Sequence, residues 1–125
     1  MVDERLIWCA GFFDGEGCIG AYGYNLQVTV GQKYREPLEV FLDVLQRGSI
    51  VLSSHTYVHY VWTVSGRKAG YVLEQMLPYL VLKRPQAVLG VEFASTIGTN
   101  GHSHSMDVHA RREQISQELK QLKHK

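Results

Sequence analysis

The stretch Cys9-Ala10-Gly11-Phe12-Phe13-Asp14-Gly15-Glu16-Gly17 is the densest concentration of chemistry-bearing residue types in the chain. Two carboxylates two residues apart, flanked by glycines that let the backbone turn sharply, present oxygens where a hard divalent cation could sit. The same pattern of acids and glycines also serves as an ordinary solvated turn. The apolar run ahead of it predicts a helix from an Asp3 N-cap through about Asp14, which puts both acids at or just past a helix C-terminus. Negative charge there opposes the helix macrodipole, so a positive group is expected close by.

The elements that must position these acids follow from periodicity. In the first helix Leu6, Cys9, Ala10 and Phe13 form one apolar face, yet Ile7, Trp8, Gly11 and Phe12 are apolar too, a pattern that in so small a chain predicts burial on two sides. Gly11 and Gly15 each cost a helix about 1 kcal/mol relative to Ala, a penalty tolerated most easily where a second backbone comes close. The first helix therefore reads as a contact between two subunits. After Gly17 the period changes to two: Cys18 to Tyr22, a Gly23-Tyr24-Asn25 turn, and Leu26, Val28 and Val30 alternating with Gln27 and Thr29 predict a hairpin with one apolar and one polar face. Glu36 and Pro37 open a second helix with Leu38, Phe41, Leu42 and Leu45 at 3.6 spacing, and Gly48 is expected to end it. Ile50 to Ser54 and Tyr57 to Ser65 form a second hairpin, with Val58, Tyr60, Trp62 and Val64 on one face and Tyr57, His59, Val61 and Thr63 on the other. A third helix runs from about Gly66 to Met76 and a fourth from Pro85 to about Ile97. Residues 98–105 read as a loop. A last helix capped by Ser105 or Asp107 carries Val108, Ile115, Leu119 and Leu122 on one stripe, with Arg111, Arg112, Lys120, Lys123 and Lys125 facing away. The order predicts an α+β fold in which an αββ unit is duplicated in topology, giving a four-stranded antiparallel sheet followed by C-terminal helices.

The 125 residues, 45% apolar and 20% charged, suit one globular domain over 1–125 and exclude disordered and fibrous classes. The longest apolar run, Leu6 to Phe13, is too short to span a membrane, and Asp3 and Glu4 spoil a secretory leader, so no export and a cytoplasmic location, or an organellar one for an organelle-encoded chain, are expected. A net charge of +1 neither demands nor forbids a nucleic-acid partner. Cys9 and Cys18 lack further ligands at zinc spacing and are expected to be reduced packing residues. His102, His104 and His109 likewise lack the partners a zinc site needs, and Tyr60 and Trp62 read as core.

Position by position, the nonapeptide resembles the LAGLIDADG motif of homing endonucleases. Ala10 and Gly11 fall on the A-G of the motif, Phe12 and Phe13 on its two large apolar positions, Asp14 and Glu16 on its acids and Gly17 on its last glycine. The family's αββαββα core matches residues about 3–97. Within it, the segment from Pro78 to Ala87 places the active-site lysine of single-motif members on Lys83, and Val28-Thr29-Val30-Gly31-Gln32-Lys33 places a polar active-site residue on Gln32. The C-terminal loop and helix, 98–125, lie outside the match.

The resemblance implies a homodimeric, site-specific endonuclease that makes metal-dependent double-strand breaks in a long, pseudo-palindromic DNA target. One carboxylate per chain cannot hold the cations that phosphodiester hydrolysis uses, whereas two chains can. Glu16 would ligate Mg²⁺ or Mn²⁺, with the Gly15 carbonyl, while Lys83 and Gln32 act on phosphate charge and water. Ile7, Ala10, Gly11 and Asp14 would line the dimer contact, with Asp14 capping or orienting the helix ends. The polar sheet face, Asn25, Gln27, Thr29, Lys33, Tyr57 and His59, would meet double-stranded DNA, since a β-ribbon fits the major groove. Other readings of the same residues are a non-cleaving DNA-binding regulator, an RNA maturase that assists intron splicing, and a structural dimer without a nucleic-acid role.

Overall fold

The computed structural model describes residues 3–53, 59–97 and 106–123. Helix α1 (Glu4–Glu16) is followed by strands β1 (Gly17–Tyr22) and β2 (Asn25–Gln32), and helix α2 (Glu36–Leu45) by β3 (Ser49–Leu52) and β4 (Tyr60–Ser65). Helix α3 (Arg67–Met76), a 3-10 turn at Leu77–Tyr79, α4 (Arg84–Ser95) and α5 (Met106–Lys123) complete the chain. The expected α+β order holds. The four strands form one antiparallel sheet in the order β1-β2-β4-β3, so each αββ unit gives its second strand to the centre and its first to an edge.

Local chemistry explains most boundaries. The Asp3 side chain accepts from the Arg5 amide at 2.9 Å and caps α1 as expected, but the helix runs two residues further, through Glu16. The first hairpin closes in two residues rather than three, because Gly23 adopts φ 60° and Tyr22 already pairs with Asn25. Gln46, at φ 53°, and not Gly48, ends α2 in the left-handed conformation. Gly48 turns the chain into β3 at φ 87°, where a Cβ would stand 2.5 Å from the Thr63 carbonyl oxygen. The second hairpin is shorter than expected within the described residues, and its outer part, residues 54–58 with Tyr57, lies outside them; so do 98–105, with His102 and His104.

One cluster of buried side chains joins the elements. Ile19, Leu26, Val28, Val30, Trp62 and Val64 from one sheet face meet Cys9, Ala10 and Phe13 of α1, Leu38 and Phe41 of α2, Val72 and Leu73 of α3, and Phe93 of α4. Helices α3 and α4 approach closely: a Cβ on Gly70 would stand 2.3 Å from that of Ala94. Ile115 and Leu119 of α5 are buried in the same core, as the stripe predicted, but Arg112 is not on the outward face. It is 4% exposed, donates to the Thr96 hydroxyl at 2.9 Å and to the Thr96 carbonyl, and lies over the Tyr24 ring. Among the described residues, no helix is long and apolar enough to cross a membrane.

Candidate functional site

Where α1 meets β1, four helix-terminal carbonyls lose their intrahelical donors. The amide of Gly17 reaches the Phe13 carbonyl and Lys83 Nζ donates to the Asp14 carbonyl at 2.6 Å, which leaves the Gly15 carbonyl without a helical partner. Lys83 is thus the expected positive group at the negative end of the helix. Asp14 is tied to the same segment: its carboxylate accepts from the backbone amides of Val81 at 2.7 Å, Leu82 at 3.2 Å and Lys83 at 2.9 Å. Desolvation, the largest single influence on this carboxyl, pushes its pKa up. The three amide donors and the Lys83 charge together outweigh it and hold Asp14 below the usual carboxylate range.

Glu16 differs from Asp14 in every respect that matters chemically. It is exposed at the last position of α1, and its carboxylate has no hydrogen-bond or ion-pair partner among the described residues. An oxygen donor free of protein partners beside the free Gly15 carbonyl suits a hard divalent cation. No group of three His, Cys, Asp or Glu side chains gathers among the described residues.

The exposed flank of α1 carries the second feature. Ile7 is 44% exposed, Gly11 and Gly15 follow at four-residue intervals, and nothing lies within 4 Å of a Cβ built on either glycine. Among the described residues, no neighbour requires glycine there. Two expected contact residues are placed otherwise. Ala10 is wholly buried in the chain's own core, and Asp14 points at residues 81–83 of its own chain. The second apolar side includes Trp8, which is 43% exposed while its ring stacks on Phe12 at 5.0 Å and approaches Phe41 of α2, so that Ile7, Gly11 and Gly15 form an outward stripe with Trp8 along its edge. Val81 and Leu82, 82% and 71% exposed, project beside it from the loop that Asp14 holds.

Strand register sorts the sheet residues. Asn25, Gln27 and Thr29 fall on the face opposite the core, with Thr63 and Ser65 opposite Thr29 and Gln27. Gln27 Nε2 approaches the Thr63 hydroxyl at 3.4 Å. His59 lies against Gly31, its Nε2 2.8 Å from where a Cβ would be, so the glycine makes room for the imidazole. Lys33 is exposed just beyond β2. Gln32 pairs with Tyr60 two residues past the Gly17–Val30 pair; alternation puts it on the helix-packed side, at the same end of the sheet as Glu16. Thr63, which alternation already set on the face of His59, joins the outer face together with Ser65, Ser49 and Cys18, none of them named among the DNA-facing residues; the alternation of Trp62 and Val64 contained the signal for Ser65. Cys18 is exposed, not a packing residue, whereas Cys9 is buried and its thiol is pushed up to about 12 by that burial.

No family model and no curated protein matches the chain. Solved structures do. The homing endonuclease I-CvuI, in complex with its target in the presence of 2 mM Ca, superposes at a TM-score of 0.80 with 24% identity over 95% of this chain and 82% of that one. The archaeal intron-encoded homing endonuclease I-Vdi141I, complexed with DNA, gives 0.81 and 21% over 96% and 84%. The LAGLIDADG meganuclease I-AabMI, bound to uncleaved DNA, gives 0.66 and 23% over 81% of this chain but 39% of that one. The chain has the fold of these LAGLIDADG endonucleases.

Proposed function

We propose that the chain is a divalent-metal-dependent, site-specific DNA endonuclease of the LAGLIDADG homing type, acting as a homodimer on a long, pseudo-palindromic duplex. The observation that carries this reading is Glu16: a partnerless carboxylate at the end of a helix whose glycine-bearing flank is open, beside a polar sheet face of the kind that enters a major groove. Two chains related by a two-fold axis through the Ile7-Gly11-Gly15 stripe bring two Glu16 side chains together. The I-CvuI and I-Vdi141I structures hold DNA, and the chain matches 39% of the length of I-AabMI.

Glu16 and the Gly15 carbonyl would hold Mg²⁺ or Mn²⁺, which when bound stabilises charge on the attacking and leaving oxygens of phosphodiester hydrolysis. Asp14 works at one remove. By gathering the amides of 81–83 it fixes the loop that carries Lys83, and the Lys83 ammonium stands ready for phosphate charge. Gln32, at the same end of the sheet, orients water. Asn25, Gln27, Thr29 and His59, with Tyr57, offer donors and acceptors to base edges, and Lys33 reaches phosphate.

Incubation of the protein with a randomised duplex library and Mg²⁺, followed by sequencing of broken ends, tests the reading. Cleavage concentrated at one two-fold-related sequence, lost in Glu16→Gln with binding retained, is the expected result. Retained binding with no breaks under Mg²⁺ or Mn²⁺ would make the protein a non-cleaving binder, and no salt-dependent retention on DNA would remove the nucleic-acid role.

A further inference from the structure

We propose that the corner of the sheet where β3 begins and β4 ends carries a phosphate-binding surface, formed by Arg47, Arg67 and Lys68, that grips duplex backbone beyond the bases facing the sheet. It rests on the nucleic-acid reading above. The first residue of β3, Ser49, pairs with Thr63, but β4 continues to Ser65, which pairs with Gln27 on its other side. Beyond Ser49 the β3 edge of β4 therefore opens into a groove of about 560 Å³, where Ser49, Thr63 and Ser65 meet Arg67 and Lys68. A second groove of about 530 Å³ shares those two cations and adds Arg47 and Tyr71, with Glu74 as its acidic member.

Three observations point to a polyanion. Arg47 is held in place, its carbonyl accepting from the Trp62 indole at 3.0 Å and its guanidinium 4.5 Å from the Tyr71 ring centre. Arg67 and Lys68 are exposed, and neither side chain has an ion pair or hydrogen bond among the described residues, whereas Arg5, Arg35 and Arg111 each pair with a carboxylate. Three cations about one corner, against Glu74 as the acid lining the groove with them, give a positive local potential that attracts an anion. The hydroxyl-bearing Thr63 and Ser65 lie in the same cross-strand rows as Thr29 and Gln27, so this corner adjoins the polar outer face. The cations at its rim meet phosphates, which set position and not sequence.

The test is the salt dependence of binding to a mixed-sequence duplex. In Arg67→Gln/Lys68→Gln the slope of log K against log salt should fall in magnitude by about 1.8 per protomer, two phosphate contacts at about 0.9 each. Affinity should drop by the same factor for every duplex sequence, and the charge-retaining Arg67→Lys/Lys68→Arg should keep the parental slope. An unchanged slope in the glutamine variant, with the parent binding DNA, overturns the cradle alone; so does a loss confined to particular base pairs. A parent with no salt-dependent retention overturns both this inference and the reading on which it rests.

Discussion

At residue 14 a carboxylate accepts three amides from residues 67 to 69 positions further along the chain. Its folded-state pKa is depressed, so its contribution to stability is present above the unfolded-state value of about 4 and is lost as pH falls through the folded one. Asp14→Asn should therefore cost about 1–3 kcal/mol at neutral pH, by the worth of hydrogen bonds to a charged group, and the deficit should shrink when urea unfolding is repeated near pH 3. The two thiols supply a second check. With Cys9 buried and its thiol pushed up to about 12, a disulfide reagent at pH 8 should titrate one thiol, Cys18, in the folded protein and two in denaturant. Residue types and spacing marked Asp14 and Glu16 together, and the motif resemblance singled out Glu16. They could not announce that Asp14 and Lys83 hold one another, because that contact closes across most of the chain.

At the scale of elements, the glycines of α1 and α3 meet opposite surroundings. Gly11 has open space about it, so Gly11→Leu should leave the fold intact while placing a side chain on the stripe through which two chains would meet. Sedimentation should then show a monomer under conditions where the parent is a dimer. A Cβ added to Gly70 would instead stand 2.3 Å from the Ala94 Cβ. Gly70→Ala should lose about 1–3 kcal/mol to overpacking, partly offset by about 1 kcal/mol of helix propensity, and lower the melting temperature without altering cleavage per folded molecule. Periodicity made α1 to α4 and both hairpins legible to within a few residues. It failed at Arg112 because a stripe drawn by apolarity alone has no place for a guanidinium that finds a hydroxyl, a carbonyl and an aromatic ring.

For the whole molecule, the proposed active unit is a pair, each chain contributing Glu16. If both acids are needed, mixing parent with an equal amount of Glu16→Gln and allowing subunits to exchange should leave about a quarter of the double-strand cleavage, since only dimers with two intact acids cut both strands. Activity falling only by half would show that each chain acts alone.

The sequence by itself determined the α+β order, the duplicated αββ topology and the acid-bearing motif at the end of a two-sided helix. All of these are local, set by periods of 3.6 and 2 and by glycine and proline placement within a few residues. Tertiary structure alone decided which acid is free and which is engaged, which hydroxyls share a face with Gln27, and where the unpaired cations collect. Those outcomes depend on strand register and on contacts between residues far apart in the chain, and no local pattern encodes how the elements come to rest against one another.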